Sequence, residues 1–73
     1  MDGLSTQILQ DIFTSTQYGG FLTMRDLELK VSESERRLRP ILEDLKESRM
    51  IVEYSEGFQI AKIGSQYCRA RWG

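Results

Sequence analysis

The 73-residue chain has no histidine, one cysteine, one proline and no excess of positive charge. Each shortage removes a class of explanation. Without histidine the usual zinc sets cannot be assembled, and a serine nucleophile has no imidazole to serve as its base. The lone thiol, Cys68, rules out an internal disulfide and fits a reducing compartment; beside apolar neighbours on a helix it reads as a small hydrophobe. No apolar run approaches the roughly 20 residues that span a bilayer, and the first residues lack the basic-then-apolar pattern of a secretory signal. A cytoplasmic location and no membrane partner are expected. Gly19-Gly20 lacks the lysine and spacing of a phosphate-binding loop, and the adjacent acids Glu43-Asp44 point in different directions on a helix. The expectation is no enzyme, no catalytic residue, no metal and no cofactor.

At this length one domain over residues 1–73 is expected, and folding should bury only roughly 60–65% of the surface of the unfolded chain. Stability has to come from good packing or from self-association. The formal charge is −1 and the pI about 5.3, so any attraction for a polyanion must be local. Seven of the ten basic residues are arginines, three of them between Arg36 and Arg39. Arginine is the side chain whose planar fork suits phosphate and guanine edges. The plainer reading of the same residues is a solvated helix face, where pairs with Glu33 or Asp44 contribute about 0–1 kcal/mol each.

The stretch from Ser32 to Ile51 organises the chain. Leu38, Ile41, Leu42 and Leu45 recur at helical spacing and form a core stripe. Arg36, Pro40, Glu43 and Glu47 fall opposite, with Arg37 and Arg39 on the flanks, so the exposed surface begins basic and ends acidic. Ser32 with Glu35 fits a capping box, and Ser34 offers a competing cap. Pro40 removes a hydrogen bond inside the helix, at roughly 3 kcal/mol, and a weakened first turn is expected.

Before this stretch, Leu4 to Thr14 reads as a first helix, with Ser5 or Thr6 near its start. Leu4, Ile8 and Ile12 form one stripe, widened by Leu9 and Phe13 beyond a single packing seam. Two covers are open for the excess: another subunit, or the chain's own C-terminus. Gly19-Gly20 ends the helix, and Phe21-Leu22 reads as a short strand. Thr23 with Asp26 caps a second helix buried through Met24, Leu27 and Val31. Met50–Tyr54 and Phe58–Ala61 read as a hairpin over the three-residue connection Ser55-Glu56-Gly57. Lys62 to Trp72 reads as a fourth helix, with Ile63, Tyr67 and Ala70 on one face and a Cys68/Trp72 pair off to the side.

This order, with Leu42-x-x-Leu45-x-x-x-Arg49-Met50-Ile51 leading into the hairpin and Ala61-Lys62-Ile63-Gly64 leading out of it, resembles a winged helix-turn-helix. The family patterns are L-x-x-L-x-x-x-G-L-I and T-x-x-G; here Arg49-Met50 replaces glycine-leucine, and Ala61 replaces threonine. The likeness covers roughly Leu4 to Arg71 and is greatest to small archaeal winged-helix regulators and to PadR- and MarR-like groups. It implies an α+β fold: a three-helix core, a short first strand, a β-hairpin wing and a C-terminal helix.

The resemblance further implies sequence-specific binding of double-stranded DNA by a small transcriptional regulator, with a recognition helix over about 34–48 in the major groove. Arg36 or Arg39 would reach guanine, while Ser34, Arg37 and Arg25 would meet phosphates. A homodimer is expected, because one module with few phosphate contacts binds weakly at cellular salt. Its interface would use Leu4, Ile8, Cys68 and Trp72. The wing tip, with Glu56 and no cation, would repel a DNA backbone. That keeps a second expectation open, a winged-helix module for protein interaction or assembly that docks through the same apolar residues.

Overall fold

Leu38 and Leu42 are fully buried and Leu45 nearly so, so the apolar stripe of the central stretch is the floor on which the rest packs. A computed structural model of the chain describes residues 2–73, in the order α1 (Gly3–Thr16), α2 (Met24–Val31), α3 (Glu35–Glu47), β1 (Ile51–Tyr54), β2 (Gly57–Ile60) and α4 (Lys62–Trp72). It is an α+β arrangement of three helices, a two-stranded antiparallel hairpin and a last helix, consistent with winged-helix-like topology. Among the described residues, no helix is long and apolar enough to cross a membrane.

Local chemistry accounts for most boundaries. The start of α1 is capped by Asp2, whose carboxylate accepts from Ser5 N at 2.8 Å, rather than by Ser5 or Thr6. Asp2 sits one turn ahead of the apolar stripe, where its oxygen meets the first free amides. At α2 the expected capping box is complete: Thr23 Oγ1 accepts from Asp26 N at 3.1 Å, and Asp26 Oδ2 from Thr23 N at 3.0 Å. The α3 boundary differs from the expected box. Ser32 takes a left-handed conformation (φ 56°) at the end of α2, and Ser34 holds the cap position without a side-chain bond. The Glu35 amide donates instead to Glu28 Oε2 at 3.1 Å, so a carboxylate from the preceding helix does the capping.

Pro40 lies inside α3 without ending it. Its missing amide deprives only the carbonyl of Arg36, an exposed residue, where water substitutes. The first turn is tightened, with Ser34 O accepting from both Arg37 N and Leu38 N at 3.0 Å.

The hairpin is shorter than expected. Tyr54 pairs with Gly57, leaving only Ser55-Glu56 in the turn. Gly57 has φ +140°, and a Cβ there would lie 2.9 Å from Leu22 O, so this glycine belongs to the strand end and not to the expected three-residue connection. Phe21-Leu22 forms no regular strand. Leu22 alone bridges Phe58 on the outer edge of β2, exchanging bonds of 2.8 and 2.9 Å. The next outward amide of β2, Ile60 N, donates to Thr16 Oγ1 at 2.8 Å, and that buried hydroxyl donates to Ile12 O at 2.7 Å. One threonine thus joins α1 to the hairpin with no polar group left over.

Helix α4 has the expected bounds but a different buried face. Gly64 and Cys68 point inward, whereas Ile63 is 50% exposed and Ala70 is exposed. The cause is Gly64: any Cβ there would collide with the Met50 carbonyl, so the helix seats its bare backbone against the entrance to β1 and turns Cys68 into the core.

Candidate nucleic-acid interface

The head of α3 carries the arginines, and the structure separates their roles. Arg36 is exposed and has no ion pair among the described residues. Arg37 pairs with Glu33 at 3.5 Å while its side chain stays 64% exposed, a contact that solvent screens and that a phosphate could replace. Ser34 is exposed at the helix start, and Arg25 is exposed on the first turn of α2.

Arg39 is taken out of this set. Its guanidinium reaches Glu35 at 3.6 Å, Glu43 at 3.3 Å and Glu53 at 3.0 Å, and lies 5.8 Å from the centre of the Phe58 ring. In this arrangement three carboxylates and an aromatic face surround its fork, so reaching guanine would require those pairs to open. Lys46 completes the group, bonding Glu43 at 3.1 Å and Glu53 at 2.9 Å, so Arg39 and Lys46 of α3 both hold Glu53 of β1. The spacings 33/37, 35/39 and 39/43 were visible as i, i+4 pairs. Glu53, supplied from the hairpin, had no such signal.

This network sets the response to acid. The Lys46 ammonium, then the Arg39 guanidinium, hold Glu43 below its ordinary value, and Lys46 does the same for Glu53. Bonds from the helix-start amides lower Asp2 and Asp26 likewise. Groups whose folded pKa is depressed stabilise the fold above their unfolded value and lose that contribution as pH falls through the folded one. Asp11, raised by burial, acts in the opposite sense and favours the fold on acidification. With four acids against one, the melting temperature is expected to be lower at roughly pH 3 than at neutrality. A flat or rising profile would show that the carboxylate bonds contribute nothing in solution.

The expected apolar docking face is largely inside the molecule. Ile8 and Cys68 have no exposed surface, so neither can meet a partner; Leu4 and Trp72 are partly buried against the same core. Trp72 packs edge-on to Tyr67, with ring centres 6.5 Å apart, and the Arg71 guanidinium lies 5.8 Å from its ring. The wide apolar arc of α1 is therefore covered within the chain, by β2 and α2 as well as by the C-terminal helix. Burial also pushes the Cys68 thiol up to about 11, the condition of an inert cysteine. The exposed large apolar side chains lie elsewhere: Tyr18 at 95%, Leu29 at 72%, Ile63 at 50%, and Tyr54, Phe21 and Val52 at 38–46%.

The sequence reading followed the change of sign along α3 but not the purely basic charge of α4. Helix α3 holds four cations and four acids, whereas α4 holds Lys62, Arg69 and Arg71 and no acid. Counting along each helix would have found it. In comparisons with known proteins, no family model, no curated protein and no solved structure matches the chain.

Proposed function

We propose that this chain is a winged helix-turn-helix module that binds double-stranded DNA and regulates transcription by occupying it, as a homodimer. The observation that carries the reading is the exposed Arg36–Arg37 pair at the head of α3, set opposite leucines that are fully buried. A rigid apolar base fixes where those guanidinium groups project, which groove recognition requires. Two backbone details support the family likeness. Arg49 stands where the pattern has glycine and has φ 61°, a conformation glycine adopts without strain. Gly64, the glycine of the second pattern, packs against Met50, the residue that follows Arg49.

In this reading Arg36 and Arg37 contact base edges and phosphates, with Ser34 and Arg25 as further phosphate contacts. Arg39 is a positioning residue that holds the wing to α3. Changing Arg36 and Arg37 together to alanine should weaken retention of duplex DNA by roughly tenfold or more and reduce the salt slope by about 2. Arg39→Ala should leave the slope nearly unchanged. A salt slope near zero for the unaltered protein would remove the mechanism, and sedimentation with duplex giving one chain per site would remove the dimer.

The acids favour one alternative. Glu43, Asp44 and Glu47 on α3 and Glu56 at the hairpin tip are exposed and would repel a DNA backbone, as suits a module for protein interaction or assembly. Such a module would pass through immobilised random duplex at low salt.

A further inference from the structure

A second cationic surface lies away from α3. Thr16, Gln17 and Gly19 at the exit of α1, Gln59 and Ile60 of β2, and the start of α4 enclose an open cleft of about 290 Å³. Lys62 and Arg69 line it, together with Ser65; no acid and no residue of α3 does. Arg69 is held by a bond from its Nη2 to Ser65 Oγ at 2.9 Å, and neither cation has an ion-pair partner among the described residues. In a chain of net charge −1, an acid-free cleft between two cations is a local anion attractor.

The rim adds a second kind of group. Tyr18, between the lining residues Gln17 and Gly19, is 95% exposed, whereas Phe21 turns its ring edge-on to Tyr54, with ring centres 5.6 Å apart, beside the hairpin turn. Gln59 donates to Gly20 O at 3.0 Å, which ties this turn to the cleft floor. Aromatic faces beside cations are what a single strand uses, since its unpaired bases stack while its phosphates meet the charges. A duplex keeps its bases stacked on one another and has no use for the rings.

We propose that the cleft between the α1 exit and α4 binds single-stranded nucleic acid, with a phosphate between Lys62 and Arg69 and a base stacked on Tyr18. The site is independent of duplex binding by α3, whose arginines take no part in it. The test is fluorescence anisotropy of a labelled oligothymidylate at low salt, using the whole chain. Lys62→Glu with Arg69→Glu should weaken binding by roughly tenfold or more, Tyr18→Ala by roughly fivefold, and Arg36→Ala with Arg37→Ala should leave it unchanged. Tyr18 is so exposed that its replacement cannot disturb folding, which a thermal melt verifies for every variant. Failure to bind the oligothymidylate, binding indifferent to the charge reversal, or competition by random duplex as strong as by unlabelled single strand would each overturn the proposal.

Discussion

Alanine at position 64 is expected to cost about 3 kcal/mol or more, from a total that for this length is only about 4–11 kcal/mol. In an exposed helix the same change would stabilise by about 1 kcal/mol, because alanine is the better helix former. Geometry reverses the sign. A Cβ on Gly64 would lie 2.8 Å from the carbonyl carbon of Met50, closer still to its oxygen, and 3.0 Å from Ile60 Cδ1. The isoleucine methyl can rotate away, but the Met50 backbone cannot. Its oxygen accepts from Ala61 N at 2.9 Å and its amide donates to Leu45 O at 3.0 Å, so it is held from both sides. Relief requires α4 to move off the hairpin, which withdraws Cys68 from the core. Urea unfolding measures the outcome: a sharp fall in midpoint is expected, and a midpoint equal to or above that of the unaltered chain would mean that α4 does not seat on Met50.

The same residue explains what could be read beforehand. The leucine stripe of α3, the box at Thr23 and the span of α4 depend on neighbours within a turn or two, and each was legible. The inward face of α4 was not, because side-chain periodicity favoured Ile63, Tyr67 and Ala70 while the deciding contact is the absence of a side chain at Gly64. Likewise Ser32 had the spacing of a cap, but the carboxylate that serves the Glu35 amide comes from Glu28, seven residues earlier. The arginine cluster was legible as composition only. Whether Arg39 faces solvent depends on Glu53, fourteen residues away across the bend at Arg49.

The ion-pair network ties the hairpin to α3 and Phe58 fixes it in the core, and the magnitudes of the two attachments are unequal. Phe58→Ala is expected to cost about 3–5 kcal/mol, whereas Arg39→Ala should cost about 1 kcal/mol or less. The ring is 1% exposed at the centre of β2, opposite Glu53. Removing it opens a cavity under the point where Leu22 bridges the strand, and it also takes away the surface over which Arg39 lies. The exposed pairs, by contrast, exchange one set of solvated charges for another. Phe58→Leu retains an apolar branch and should lose less than half of what alanine loses, and under high salt, which weakens the pairs, the ranking should persist. If Arg39→Ala proves as damaging as Phe58→Ala, the hairpin is held electrostatically and its attachment should vary with ionic strength. If the ranking stands, the charged groups on α3 can be altered at small cost to the fold, and variants at the exposed Glu43 and Glu47 separate the DNA reading from the protein-interaction reading without unfolding the domain.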